Sequence, residues 1–467
     1  MKNDLDMKSD TENEEDGTMS TESADVRPAE STDARPAGAQ QPTHHHPQPS
    51  QRTQPSHHHG HALAGILGPA FVAAVAYVDP GNVAANITSG ARYGYLLVWV
   101  LVLANCMSVL IQYQSAKLGI VTGKSLPEIL GERLGDAGRF MFFMQAEVIA
   151  IATDLAEVIG GAIALKLLFG LPLFVGGCII GAVSTVLLIF EKGATHRIFE
   201  KLIIGLLLVI TFGFIAGLFI APPNPKEVVA GLIPRFKGTD TVLMATSMLG
   251  ATVMLGATVM PHAIYLHSTL VNDHYAPGEA KPSVKKLLHG SKIDVAWALL
   301  LAGSVNLALL ILAANSLYGM TGTDTIEGAQ RAIQHVLGPV IGMIFSIGLL
   351  ASSLSSTSVG TYAGSEIMHG LLRIKAPMWA CRVVTLVPAL VVLWFANNPT
   401  EALIVGQVVL SVGIPFAIIP LMRYTHDRTL MGEYVDGPVK HVVNIAVAAL
   451  IVALNVVLIV LTMLGKA

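Results

Sequence analysis

The chain has 467 residues, 52% of them hydrophobic and 13% charged, with a formal net charge of −3 and a mean hydropathy of +0.60. A soluble protein carries roughly a quarter charged residues to keep its surface wet, so a soluble globular domain is excluded. Long uncharged runs of about 20 residues are what it takes to cross about 30 Å of hydrocarbon as helix. The predicted fold class is an all-α polytopic membrane protein.

Residues 1–61 stand apart. Ser, Thr, Asp, Glu, Pro and Gln dominate them. Such a segment cannot bury a core, so a disordered tail is predicted. It ends in His44-His45-His46 and His57-His58-His59-Gly60-His61. A histidine tract can gather metal, but a solvated low-complexity tail accounts for it more simply. The opening is polar rather than basic and then apolar, so no cleavable signal peptide is expected.

Residues 62–467 read as a membrane domain of eleven hydrophobic segments, with cores near 63–88, 94–116, 139–168, 170–190, 199–221, 240–270, 293–317, 336–370, 378–396, 401–422 and 440–464. The third and eighth are long enough to tilt or to project beyond the bilayer. Lys and Arg crowd one set of connections, which holds Lys117, Lys124, Arg133, Lys192, Arg197, Lys285, Lys286, Arg373 and Arg423, and thin out in the other. By the positive-inside rule that face and the N-terminal tail are cytoplasmic, and eleven crossings put the C-terminus outside the cell. Cys106, Cys178 and Cys381 lie far apart in or beside apolar runs, which suggests packing rather than a disulfide framework or a CxxC metal site.

Two segments carry breaks. The first contains Tyr77-Val78-Asp79-Pro80-Gly81-Asn82 near its middle, and the sixth contains Met260-Pro261-His262. Irregular backbone at that depth survives only when it is buried in protein or lines a wet cavity. Breaks five segments apart suggest two five-helix repeats, 62–222 and 240–424, followed by an extra helix at 437–467. Five is odd, so the second repeat is inverted relative to the first. Inverted repeats with discontinuous first helices are a transporter architecture with the substrate at the midplane. Two proline kinks without function would leave Asp79 and Asn82 unexplained.

These motifs resemble the paired signatures of the Nramp family of metal transporters. The Gly90-Ala91-Arg92-Tyr93-Gly94-Tyr95 connection and the Thr153-Asp154-Leu155-Ala156-Glu157 stretch do so too. The resemblance runs from about residue 64 to the end, is similar to the family's bacterial manganese transporters, and leaves out the histidine-rich tail. It implies a LeuT-like fold and symport of a divalent metal with protons.

The ligand types agree with that expectation. Asp79 offers a charged oxygen, Asn82 a neutral one and Met260 a soft thioether, while unwinding frees carbonyls, those of Ala76 and Ala257 among the candidates. This set is too soft for Mg²⁺ or Ca²⁺ and too rich in oxygen for Cu(I). It suits Mn²⁺ or Fe²⁺, with Co²⁺ and Cd²⁺ as passengers. The resemblance adds Gln407 to the shell, which alone reads as a helix-packing amide. It also makes His262 a proton-linked histidine, and His267 is a weaker candidate.

Glu147, Asp154 and Glu157 fall within about 80° of one another on a helix that turns 100° per residue. Each charge facing lipid at mid-span would cost about 2.5–3.5 kcal/mol, so the stripe faces protein or water. It reads as a proton route starting from Asp79, or as a structural ion-pair network, with Arg382 as the basic partner in either case. The family often has a second arginine where this chain has Cys381. A further departure is the hexapeptide Leu-Gly-Ala-Thr-Val-Met, present at 249–254 and again at 255–260; Met254 is then a spare copy of Met260.

An amino-acid transporter of the same architecture and a metal-sensing receptor are the rival readings. An enzyme is not expected, since no nucleotide loop, nucleophile elbow or zinc-hydrolase motif is present. No cofactor and no nucleic-acid partner are expected, and a monomer in the lipid bilayer of the cell membrane is the simplest assembly.

Overall fold

A computed structural model describes residues 68–190, 195–235, 260–274, 282–323, 325–374, 377–395 and 399–463. The helices in chain order are α1 (Pro69–Ala74, prolonged by the 3-10 turn Val75–Val78), α2 (Pro80–Tyr93), α3 (Val98–Thr122), α4 (Leu126–Arg133), α5 (Asp136–Phe169), α6 (Leu173–Leu187), α7 (His196–Ile220) and α8 (Pro225–Gly231). Then follow α9 (Pro261–Asp273), α10 (Val284–Ser316), α11 (Ile326–Leu337), α12 (Pro339–Leu372), α13 (Met378–Phe395), α14 (Pro399–Thr425), α15 (Arg428–Met431) and α16 (Pro438–Met463). The tail at 1–61, Met254, Ala257 and the first half of the sixth segment lie outside the described residues.

Among the described residues, eight helical stretches are long and apolar enough to cross a membrane. They correspond to segments two to five, seven to nine and eleven. The first segment is split into α1 and α2, the sixth is described from Met260 onward, and the tenth is α14, after which the chain bends by 64°. Segment eight needs one correction. Its expected start at 336 falls in the last turn of the amphipathic α11, and the spanning helix begins only after Gly338, whose φ of 94° stops one helix before Pro339 starts the next.

α5 and α12 pack along one another, α10 lies on α2 and α3, and α9 sits among α1, α3, α12 and α14. One apolar core runs through them and includes Ala76, Val78, Ile159, Met260, Leu309, Leu349 and Val359. Where α5 passes the first break there is no room for a side chain. A Cβ on Gly160 would stand 2.2 Å from the Cβ of Pro80.

Buried polar ties fasten the helix ends. The Asp294 carboxylate on α10 accepts the backbone N–H of Gly68 at 3.1 Å and of Ala70 at 2.9 Å, capping α1 from another helix. Beside it, Glu200 on α7 lies 2.9 Å from His274 Nδ1 and 3.6 Å from His196 Nε2. Lys117 on α3 pairs with Asp436 at 2.6 Å, and Gln114 and Asn444 donate to the same carboxylate.

Overpacking a tight contact costs about 1–3 kcal/mol. Gly160→Ala is therefore expected to lower the thermal unfolding midpoint of the purified protein. An unchanged midpoint would show that α5 does not need to approach Pro80 so closely.

Candidate functional site

Proline sets both helix starts locally. Pro80 and Pro261 stand at the first position of α2 and α9, where a missing N–H costs nothing. The residue before each is extended: Asp79 at φ −69°, ψ 166° and Met260 at φ −66°, ψ 124°. Asp79 caps α2 by accepting the N–H of Asn82 at 2.9 Å, with its charge at the favourable end of the helix dipole. Asp79 and Asn82 are each 1% exposed and Met260 is 0% exposed, so the donors are closed off from solvent.

Interrupting a helix leaves carbonyls without their usual partners, and each must be satisfied in a medium that supplies no water. Asn82 Nδ2 donates to Tyr77 O at 3.0 Å, and Asn306 Nδ2 on α10 donates to the same oxygen at 2.7 Å. The Ser352 hydroxyl on α12 donates to Val78 O. Ala76, an expected carbonyl ligand, is buried in the 3-10 turn just before these two residues. Ala257 is outside the described residues, and so is the side chain of Gln407 on α14.

His262 is buried directly after the second break, and neither of its ring nitrogens has a hydrogen-bond partner among the described residues. His267 lies one turn further on, with Nδ1 2.8 Å from Gln112 Oε1; Gln112 in turn donates to the Tyr77 hydroxyl at 2.5 Å. The weaker histidine candidate is thus a member of the network around Tyr77.

The acidic stripe is brought together in part. Asp154 and Glu157 are buried, whereas Glu147 is half-buried toward one end of α5. Arg382 Nη1 reaches Asp154 Oδ1 at 2.5 Å and also bonds Oδ2, and Thr357 donates to the same carboxylate. Glu157 has no hydrogen bond of normal geometry among the described residues, although the Ser356 hydroxyl lies alongside it. Arg382 is therefore the partner of Asp154 rather than of the stripe as a whole. Cys381 next to it is buried, and none of the three cysteines forms a disulfide.

Among the described residues no three His, Cys, Asp or Glu side chains converge as a metal cluster. The donors at the breaks are instead one carboxylate, one amide and one thioether, with a backbone carbonyl nearby. Such a mixed set can take a divalent ion of intermediate softness and offers it only one full negative charge.

Sequence reasoning left out Asn86, Gln112, Asn306, Ser352 and Thr357. The signal that could have found them is the polar group inside an apolar span: Asn86 lies four residues after Asn82 on the same helix face, and hydroxyl residues crowd positions 352–361.

The split first span, with an ionisable group at its break, and the proline-started α9 packed in the same core are the pattern of a membrane transporter of LeuT-like fold rather than an enzyme. Comparison with known proteins carries this to the family. The chain belongs to the Nramp family, described as natural resistance-associated macrophage protein-like, whose model it matches over residues 70–461. The divalent metal cation transporter MntH of Mycobacterium tuberculosis H37Rv is 50% identical over 400 residues, covering 86% of this chain and 92% of that protein. MntH of Bacillus subtilis is 43% identical over 401 residues, with 85% and 92% covered. The crystal structure of the Eremococcus coleocola manganese transporter, in complex with an aromatic bis-isothiourea substituted compound, aligns with a TM-score of 0.78 at 28% identity and covers 86% of this chain and 87% of that one. Mhp1, a nucleobase-cation-symport-1 family transporter, aligns at 0.57 with 16% identity over 85% of this chain and 91% of its own, a likeness of fold alone.

Removing one partner of a buried ion pair costs about 3–5 kcal/mol, because the other charge is left uncompensated. Arg382→Gln is expected to destabilise the protein on that scale, and Asp154→Asn combined with Arg382→Gln by clearly less than the sum of the single changes. Additive losses in thermal unfolding would show that the two side chains are not coupled.

Proposed function

We propose that this protein is a proton-coupled symporter that imports Mn²⁺ or Fe²⁺ across the cell membrane, with its N-terminus cytoplasmic and its C-terminus outside. The observation that carries the reading is the chemistry at the two breaks, where the buried carboxylate of Asp79 and amide of Asn82 stand at one helix start and the thioether of Met260 at the other. A thioether has little affinity for Ca²⁺ or Mg²⁺, which take all-oxygen shells, and it suits softer ions, Co²⁺ and Cd²⁺ included. The names of the MntH relatives and of the Eremococcus coleocola transporter support the same substrate class.

In this reading Asp79, Asn82 and Met260 are ligands together with the carbonyls of Ala76 and Ala257, and Gln407 joins them in one conformational state. Asp79 is also the first proton acceptor. Its proton leaves past His262 and Glu157 toward the Asp154–Arg382 pair and Glu147. The repeats at 62–222 and 240–424 rock against one another around the site, and the helix at 437–467 stands outside them. An amino-acid transporter would present donors to a substrate carboxylate at the start of α2, and Asp79 already occupies that place with a like charge.

Proteoliposomes loaded with a pH indicator test the coupling. Mn²⁺ uptake is expected to acidify the interior and to quicken under an inwardly directed proton gradient; uptake without acidification removes proton symport from the reading. Asp79→Asn, which deletes the only full charge offered by this donor set, is expected to abolish both signals in protein that still inserts and folds.

Met260→Ala leaves an oxygen-only shell, so Ca²⁺ is expected to begin competing with Mn²⁺ uptake while transport itself persists. Continued exclusion of Ca²⁺ by an active Met260→Ala variant would show that the thioether is not the filter.

A further inference from the structure

The carbonyl of Tyr77 accepts two side-chain amides, and this settles the direction of a chain of three. A carbonyl oxygen only accepts, so both Asn82 and Asn306 turn their Nδ2 toward it, at 3.0 and 2.7 Å. The oxygen of Asn306 then faces away and is held at 2.9 Å by the Nδ2 of Asn86. Asn86 is 0% exposed, and its own Oδ1 has no hydrogen-bond partner among the described residues. A buried amide with one unsatisfied atom is a poor choice for stability alone, since an apolar side chain of similar shape carries no such penalty.

From this geometry we propose that Asn86 is a specificity-determining residue that acts through Asn306, by keeping the oxygens of Asn306 and Tyr77 out of the shell of the transported ion. The inference rests on Asn82 being an ion ligand. Asn306 and Asn82 share one carbonyl, so the Asn306 amide lies beside the ligand set. Turned over, it would set two oxygens, its own Oδ1 and Tyr77 O, facing each other with no proton between them. That arrangement repels itself unless a cation enters it, and two neutral oxygens suit a hard ion such as Ca²⁺ better than a softer one. Asn86 opposes the turn by donating to the oxygen, which adds a second hydrogen bond to the orientation that Tyr77 O favours. Its role is positioning, since it touches Asn306 and not the ion.

The reading separates from a merely structural role by the ion whose transport it changes. Uptake of Mn²⁺ and of Ca²⁺ is measured in proteoliposomes for the parent, Asn86→Leu, Asn306→Leu, the double variant and Asn82→Ala. Asn86→Leu is expected to raise the ratio of Ca²⁺ to Mn²⁺ uptake by about five-fold or more, the effect of one polar contact of roughly 1 kcal/mol. The double variant, which no longer has the Asn306 oxygen, is expected to return the ratio to that of Asn306→Leu. If Asn86→Leu is not recovered folded, Asn306→Asp places an oxygen against Tyr77 O directly and is expected to raise the ratio in the same way. Equal loss of both ions in Asn86→Leu, or a raised ratio that persists in the double variant, overturns the proposal. Asn82→Ala identifies where a failure lies. If it leaves the Mn²⁺ affinity unchanged, the ligand assignment beneath the proposal is wrong; if it weakens that affinity while Asn86→Leu leaves the ratio alone, only the role of Asn86 falls.

Discussion

An interrupted helix inside a membrane protein must find new partners for the carbonyls it frees, and most of the architecture around Asp79 answers that one requirement. Lipid supplies no donor, and an unsatisfied buried polar group costs about 1–3 kcal/mol. Donors therefore come from three different helices: Asn82 on α2 itself, Asn306 on α10 and Ser352 on α12. Those helices must approach closely enough to reach the break, and α5 must do the same with glycine where it meets Pro80. The break is thus not a loose place in the fold. It is closely packed, and the carbonyls of Tyr77 and Val78 there are each hydrogen-bonded by a side chain from another helix.

The same constraint separates two kinds of acidic group. Asp154 lies against Arg382, and Thr357 donates to it as well. Asp79 has backbone and amide partners but no cation described beside it, and Glu157, three residues from Asp154, lacks a well-formed hydrogen bond. The buried pair on α5, Asp154 with Arg382, gives the stripe its shape, while Asp79 and Glu157 meet neutral donors alone among the described residues.

The first break was legible in the sequence because a proline beside a carboxylate inside an apolar run is costly in an unbroken helix and cheap only at a helix start. The pairing of Arg382 with one member of the acidic stripe, Asp154, was legible for a similar reason: a charge beside a span must find its counterpart in hydrocarbon. Asn86, Asn306 and Ser352 were not legible, because their bonds join residues 220 to 274 positions apart and depend on the rotation of α10 and α12 about their own axes. Helical periodicity marks a polar face but not which atom that face meets. The start of the eighth span was misplaced for a local reason: Val336 and Leu337 continue the apolar pattern up to Gly338, and only the backbone turn there separates an amphipathic helix from a spanning one. The assignments to Ala257, Met254 and the histidine tracts concern residues outside those described.

The cap that Asp294 places on Gly68 and Ala70 makes the first half of the first span a strut pinned at two points to the same beam. One pin is the carboxylate at the start of α1; the other is Asn306 on Tyr77 O at its end, and both pins belong to α10. Their twelve-residue separation on α10 is about 18 Å, close to the length of the short helix and turn they hold. A strut held at one end can swing, but one held at both must travel with its beam. Any movement that opens a path beside α1 therefore has two forms. Either α10 moves too, or one pin is withdrawn, and the Asp294 end, with its charge-assisted bonds to two backbone amides, is the stronger of the two. Release at the Tyr77 end would unfasten α1 beside Asp79 and Asn82, so a change in hydrogen bonding at that break and freedom of the half-helix would be a single event.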